Sequence, residues 1–512
     1  MVKKESHSSD NLTGGSHKKE IMSKITTALA TFFLLVSIAI IIAIATVQKQ
    51  QRTFVSPGLK YGIVLDAGSS RTTVYLYQWP AEKENNTGVV TQTNMCQVKG
   101  PGISEMNKES WKNLMKCMGI ITETVPLSQR NSTSIFLGAT AGMRLLHQKN
   151  EAAANIILVA LQEYLHSLPF DFQNASIISG QEEGLYGWIT VNYLMGNFLE
   201  KNIWNAWIHA HGARTQGSLD LGGASTQIAF AAPDNTRGKD LVQVALYGYE
   251  YNIYTHSFLC YGKNEAEKKV LAELAKKSSN WSHINHPCYP AGYNITMKAS
   301  DVFGSECTKS QAPAQNGPER NITFVGQSDP AMCKRLVRRI FDLNSCHGKE
   351  NCSFEGVYQP PVTGDFMAYA GFYHTAKALN VSGSNSLEKF NATMRSVCSM
   401  DWKTLKNSYK LPEVHLKSVC YSANYVHTLL VDGYKFNSDN WENLNFKKEI
   451  NNTSIAWSLG YMLAQSNMIP AEAKLLKLPI PNIAFAALLF ILSALIIITF
   501  MFLIITLVRF CY

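Results

Sequence analysis

Two short segments of this chain share one design. Asp66-Ala67-Gly68-Ser69-Ser70 and Asp220-Leu221-Gly222-Gly223-Ala224-Ser225 each open on aspartate, turn on glycine and close on serine. Each follows an apolar run (Tyr61 to Leu65, Ser218 to Leu221) and precedes a strand-like stretch (Thr72 to Tyr77, Thr226 to Phe230), so each predicts strand, glycine turn, strand. Glycines let backbone N–H groups approach an anion, hydroxyls donate to phosphate oxygens, and carboxylates can hold a divalent cation through water. One such turn alone is an ordinary hairpin signal. Two in matching contexts suit the two sides of a nucleotide clamp. No G-x-x-x-x-G-K-[ST] occurs and no G-x-G-x-x-G opens a helix, which argues against P-loop and Rossmann sites.

Two further segments lie between these loops. Gly138-Ala139-Thr140-Ala141-Gly142-Met143-Arg144 follows a strand and leads into a helical pattern, so Thr140 and nearby amides could meet a phosphate, while Arg144 could steady charge or serve packing. Gly180-Gln181-Glu182-Glu183-Gly184 puts two carboxylates at a strand-to-helix junction. Acids there favour a helix N-terminus in any protein. Beside phosphate loops, one of them could also orient a water in line with a scissile phosphate.

The elements that must position these groups form an α/β pattern. From Lys60 to about Pro233, strand-like runs alternate with helical ones, for example Ile135 to Leu137, a helix from about Asn150 to Ser167, then Ala175 to Ile178. Cysteines crowd into the later part, Cys260 to Cys420, which predicts an elaborated second lobe. At 512 residues the chain is too long for one core. Its ends carry uncharged stretches, Ile25 to Val47 and Ile483 to Val508, each long enough to cross a bilayer as a helix. The first exceeds the apolar core of a secretion signal, so a retained anchor is expected, although Ala43-Ile44-Ala45 keeps cleavage open.

Lys3, Lys4, Lys18, Lys19, Lys24 and Arg509 flank the spans on the side expected to be cytosolic, and Lys49, Arg52, Lys474 and Lys477 blur that signal. The sequons decide it better. Asn85, Asn131, Asn174, Asn280, Asn294, Asn321, Asn351, Asn380, Asn391, Asn451 and Asn452 all lie between the spans, as do all cysteines except Cys511. This predicts an oxidised, extracellular or lumenal region. The cysteine spacings lack C-x-x-C, which favours disulfides over metal knots and leaves their pairing open. Cys511, beside the second span, offers a lipidation site. Small residues of the spans (Ala28, Ala39, Ala43, Ala486, Ala487, Ser493) could support helix pairing or a homo-oligomer. The net charge of +9 is dispersed, so nucleic acid is not an expected partner.

The four segments, with Ser458-Leu459-Gly460-Tyr461-Met462-Leu463, resemble in order the five apyrase regions of the ecto-nucleoside triphosphate diphosphohydrolases. The resemblance covers the whole chain, both spans and the ten-cysteine pattern. Tyr61 to Thr87, Tyr193 to Lys201 and Tyr254 to Lys269 most resemble the third of the family's cell-surface types.

The resemblance implies an actin/Hsp70/hexokinase-like (ribonuclease H-like) ectodomain of two lobes with a nucleotide cleft. It divides the chain into a tail 1–24, a span 25–47, lobe I 48–179, lobe II 180–445, a return to lobe I 446–478, a span 483–508 and a tail 509–512. It gives Glu183 the role of water-activating base, with Ser225 and Gln227 positioning the water. Asp66 and Asp220 would hold Ca²⁺ or Mg²⁺ through water. Gly68, Ser69, Ser70, Thr140, Gly222, Gly223, Ala224, Ser225, Thr226 and Gln227 would hold phosphates, and Tyr373 and Tyr425 would stack a base. Aromatic residues at such spacing are also ordinary core residues.

The resemblance further implies the disulfides Cys96–Cys117, Cys260–Cys307, Cys288–Cys333, Cys346–Cys352 and Cys398–Cys420. The function expected is an apyrase of the plasma membrane with both termini cytoplasmic, hydrolysing extracellular ATP, ADP, UTP and UDP and so controlling purinergic signalling. The alternatives are a nucleoside diphosphatase of the secretory pathway and a receptor that binds nucleotide without turnover.

Overall fold

The computed structural model describes residues 13–511 except 51–52, 56–57, 84, 203–206, 211–213, 234–235, 314–316, 384–385, 472–474, 478–479 and 481. The chain divides into two units. One contains the apolar helices Thr13–Gln50 and Asn482–Cys511, which pack against each other. Strand Thr53–Val55 pairs antiparallel with Leu475–Lys477, and the Gln48 amide donates to the Ile480 carbonyl (3.0 Å) and accepts from its N–H (3.2 Å). Within the helices, Ile21–Lys49 and Ile483–Arg509 are long and apolar enough to cross a membrane, and Phe32, Leu35 and Phe490 stand exposed along them. Such a surface suits lipid better than water. Of the flanking charges, Lys3, Lys4, Arg52 and Lys474 lie outside the described residues, as do the side chains of Lys18, Lys19, Lys477 and Cys511.

The other unit, Gly58–Glu472, holds two sheets built on one plan. In the first, β1 (Leu59–Ala67) pairs antiparallel with β2 (Thr72–Pro80) and parallel with β4 (Ser134–Ala139). The edges are β3 (Thr91–Val98) beside β2 and β5 (Asp171–Ile177) beside β4. In the second, β6 (Gly217–Leu221) pairs antiparallel with β7 (Ser225–Ala231) and parallel with β10 (Phe366–Ala370). Beside β7 lies β9 (Tyr249–Leu259), with β8 (Leu241–Leu246) beyond it, and beside β10 lies β11 (Leu444–Phe446). Strand β8 is the only addition to the shared five-strand order among the described residues.

Period-two alternation explains how helices cover both faces of the first sheet. Ile63, Leu65, Ala67, Val74 and Leu76 pack with Leu114 and Met118 of α1 (Lys108–Thr124) and with Leu161 and Leu165 of α3 (Glu151–His166), which follows α2 (Ala141–Lys149). Val64, Tyr75, Tyr77 and Trp79 point the other way, into a cluster shared with Trp188 and Ile189 of α4 (Gly180–Leu194) and Tyr461 and Met462 of α8 (Trp457–Ser466).

Helices α4 and α8 leave corresponding edge strands, β5 and β11, and pack on each other between the sheets. Their crossing is tight. A Cβ on Gly460 would lie 2.0 Å from the Tyr186 carbonyl oxygen, and the Gly460 N–H donates to Thr190 Oγ1 (2.8 Å), which donates to the Ala456 carbonyl (2.7 Å). The second lobe adds α5 (Lys263–Lys277), α6 (Gly371–Ala378), α7 (Val419–Thr428) and a large aromatic core.

Disulfides join Cys96–Cys117 in the first lobe and Cys260–Cys307, Cys288–Cys333, Cys346–Cys352 and Cys398–Cys420 in the second. The sequon asparagines are exposed except Asn391, which is half-buried.

Candidate active site

Both Asp-x-Gly segments are tight turns at the same place in their sheets. Asp66 faces Thr73 across β1 and β2, and Asp220 faces Gln227 across β6 and β7. Gly68 N–H donates to the Arg71 carbonyl and Gly222 N–H to the Ser225 carbonyl, each at 3.0 Å. The turns meet across the cleft. A Cβ on Gly223 would lie 2.8 Å from Ser69 Oγ, so glycine is what allows the Ser69 hydroxyl to stand against the opposing backbone. Ser70 is exposed, Ser69 and Gly68 half-buried, and Gly222 and Gly223 half-buried opposite them. Thr140, buried between β4 and α2, donates its N–H to the Ala67 carbonyl (3.1 Å), while its hydroxyl caps no amide of the helix.

The two adjacent glutamates part company at the start of α4. Glu182 closes a capping box: its Oε2 accepts the Ser179 N–H (2.7 Å), and its own N–H donates to Ser179 Oγ (3.2 Å). Glu183, one residue on, turns inward and is 8% exposed. Arg144 Nη2 donates to Glu183 Oε2 at 2.7 Å and to Ser225 Oγ at 3.1 Å, and Arg144 Nη1 is anchored on the Ile178 carbonyl (3.0 Å). Gln227 Nε2 reaches Glu183 Oε2 (2.9 Å), Ser225 Oγ (2.7 Å) and Ser257 Oγ (2.9 Å). Both donors converge on Oε2, which leaves Oε1 as the oxygen able to take a proton from water. Thr226 faces away, its hydroxyl donating to the Asp220 carbonyl (2.7 Å) and lying 3.1 Å from the Tyr434 hydroxyl.

Burial pushes the Asp66 carboxyl up to about 7. The Trp457 indole N–H, donated to Asp66 Oδ1 at 2.9 Å, opposes that rise, the charge of Glu183 adds to it, and Arg71 lowers it. Asp220 is raised well above the carboxylate range, first by burial, then by Glu183 and Asp66, with Arg71 opposing. Asp66, Asp220 and Glu183 thus feel one another's charge. The carboxylates of Asp66 and Asp220 are oxygen donors of the kind that a divalent cation accepts directly or through its waters. Among the described residues no three His, Cys, Asp or Glu side chains sit close enough to ligate one ion together.

A pH effect follows for the protein without divalent cations. A carboxyl with a raised folded pKa stabilises the fold fully below its unfolded value of 3.8 and loses that contribution as pH rises through about 7. The thermal midpoint in chelator is expected to fall between about pH 4 and 7, and Asp66→Asn to flatten that slope. A slope unchanged by the substitution would contradict the assignment.

The base-stacking pair divides. Tyr373, on α6, is half-buried, with Lys377 Nζ 5.8 Å from its ring centre. Tyr425 requires a correction. Its side chain is wholly buried on α7, its hydroxyl donates to the Tyr261 carbonyl, and its ring stacks on Phe341 (5.6 Å) and Tyr421 (5.8 Å). A side chain with no exposed surface leaves no face for a base. Sequence reasoning missed Ser257 and Trp457. Ser257 lies in a strand with no distinguishing motif, and Trp457 stands just before the Ser458-to-Leu463 segment, where its type alone predicts only core packing.

Residues 55–478 match the GDA1/CD39 (nucleoside phosphatase) family. The chain is 55% identical over 460 residues to human ectonucleoside triphosphate diphosphohydrolase 3, covering 89% of this chain and 87% of the relative. It is 41% identical over 471 residues to mouse ectonucleoside triphosphate diphosphohydrolase 1, covering 90% and 91%. A solved structure of nucleoside triphosphate hydrolases from Neospora caninum superposes with a TM-score of 0.56 at 16% identity, covering 80% of this chain and 93% of that one, which places the two-lobed α/β architecture. The facing turns, their duplicated sheets and the sequence match agree: this chain belongs to the GDA1/CD39 (nucleoside phosphatase) family.

Proposed function

We propose that this chain is a membrane-anchored nucleoside triphosphate diphosphohydrolase that removes terminal phosphates from extracellular nucleoside tri- and diphosphates, taking ATP to ADP and then AMP. The observation that carries the proposal is the convergence of Arg144, Gln227 and Ser225 on Glu183 beside two phosphate-sized turns. Glu183 Oε1 takes a proton from water as that water attacks the terminal phosphorus, and Ser225 and Gln227 orient the water. Arg144 fixes the rotamer of Glu183 and brings a positive charge within hydrogen-bond distance of it. Amides of the turns at Ser69–Ser70 and Gly223–Ala224, with the Ser69, Ser70 and Thr140 hydroxyls, hold the phosphates. Asp66 and Asp220 would hold Ca²⁺ or Mg²⁺, which when bound screens the polyphosphate and the leaving oxygen. Tyr373 is the remaining candidate for the base.

The same site serves tri- and diphosphates if a shortened substrate moves along by one phosphate. Product inorganic phosphate, the apolar helices and the sequons then fit an extracellular role in purinergic signalling. Intact expressing cells given ATP and calcium are expected to accumulate ADP and then AMP outside the cell, and excess chelator to abolish both steps. Binding of ATP without phosphate release would support the receptor reading. Activity found only after permeabilisation would support the secretory-pathway diphosphatase.

A further inference from the structure

A second built cavity lies in the later lobe, of about 420 Å³, bounded by helices Pro330–Arg338, Leu387–Cys398 and α7. Lys334, Arg335 and Arg395 line it, with Met394, Asn424 and Cys398, and no carboxylate does. Lys334 and Arg395 also act on the buried imidazole of His427, whose pKa is pushed down to about 4 by burial first and by these two charges next. Such a pocket is of small-ligand size and collects anions. At its wall is one half of a disulfide. Asn424 Nδ2 donates to Cys398 Sγ (3.2 Å), to Cys420 Sγ (3.6 Å) and to the Cys420 carbonyl (3.0 Å). On the far side, Cys420 Sγ lies 3.7 Å from Cys333 Sγ of the Cys288–Cys333 bond. These four cysteines are almost wholly buried, and of them Cys398 is the one that lines the cavity.

We propose that Cys398–Cys420 is a thiol-exchange site for a small anionic thiol, with Cys288–Cys333 as the second member of a relay. The incoming thiolate attacks Sγ of Cys398, the member of the pair that lines the cavity. One sulfur–sulfur bond forms, the Cys398–Cys420 bond breaks, and Cys420 leaves as a thiolate. Asn424 and the cationic lining stabilise the thiolate. Cys420 then attacks Cys333 at its 3.7 Å separation, forming Cys333–Cys420 and releasing Cys288 as a thiolate. The number of sulfur–sulfur bonds is conserved at each step, and no oxidant is consumed.

The test treats detergent-solubilised full-length protein with glutathione or with cysteamine at equal thiolate concentration. An acid quench, alkylation and peptide mapping follow. Glutathione is expected to mark Cys398 about tenfold faster than the cationic cysteamine, a preference set by the local field. Alkylated Cys288 and a Cys333–Cys420 link should accumulate together. The variant Lys334→Glu/Arg395→Glu should invert the preference. Accessibility alone favours Cys346–Cys352, whose cysteines are both more exposed. Opening of that bond first with Cys398–Cys420 intact, or equal rates for the two thiols, would overturn the proposal, and a Cys398 adduct without the Cys333–Cys420 link would overturn the relay.

Discussion

Glu183→Gln is expected to reduce phosphate release from both ATP and ADP by about 10²- to 10⁴-fold, the range supplied by a positioned general base, with little change in KM. The amide keeps the size of the side chain and can still accept from Arg144 or Gln227 through its oxygen. What it loses is the basic Oε1 that takes the water proton. Glu182→Gln is the matched control. Its carboxylate is committed to the Ser179 cap, so the change should cost about 1 kcal/mol or less of stability and leave kcat within a few-fold. Steady-state kinetics of the two variants at equal surface display separates the roles. Equal losses at both positions would mean that the helix start, rather than one carboxylate, matters.

The second large effect concerns the crossing of α4 and α8. Gly460→Val must displace either the Tyr186 carbonyl or the whole of α8, because the new Cβ begins 2.0 Å from backbone oxygen rather than from the end of a flexible side chain. A loss of about 3 kcal/mol or more is expected, at the upper end of overpacking, and a thermal midpoint several degrees lower. Gly119, in the middle of α1, is the contrasting case: a Cβ added there would meet nothing within 4 Å, so Gly119→Ala should be neutral or stabilise by up to about 1 kcal/mol. Calorimetry of the two variants makes the comparison. A Gly460 variant as stable as its parent would show that the crossing can open at no cost.

Much of this architecture is legible in the sequence. The duplicated turn can be found because its chemistry needs few residue types in a fixed order, and because β1 and β6 are buried on both faces and so appear as apolar runs ahead of each aspartate. Glu183 can be found as one of a pair, but the spacing of Glu182 and Glu183 does not say which acid caps the helix. That depends on Ser179 sitting three residues before Glu182, and on the helix rotation that turns the next side chain into the cleft.

Tyr425 misleads for a related reason. An aromatic residue on a helix has the same sequence signature whether it faces a cleft or a core, and α7 is buried along its whole length. Trp457 and Ser257 act through single hydrogen bonds between segments far apart in the chain, which leave no local periodicity.

The kinship of the two halves has one more consequence. Superposing one sheet on the other puts Arg71 where Ser225 stands and Thr73 where Gln227 stands, since each pair holds the same place after its aspartate. Two identical hairpins would offer a polyphosphate two equivalent ends. The present pair does not: one copy keeps a guanidinium and hydroxyls, and the other holds the water-handling groups beside Glu183. Under the proposed function, a polyphosphate lying between the turns therefore meets two chemically distinct ends, with a guanidinium on one side and the groups that hold Glu183 on the other.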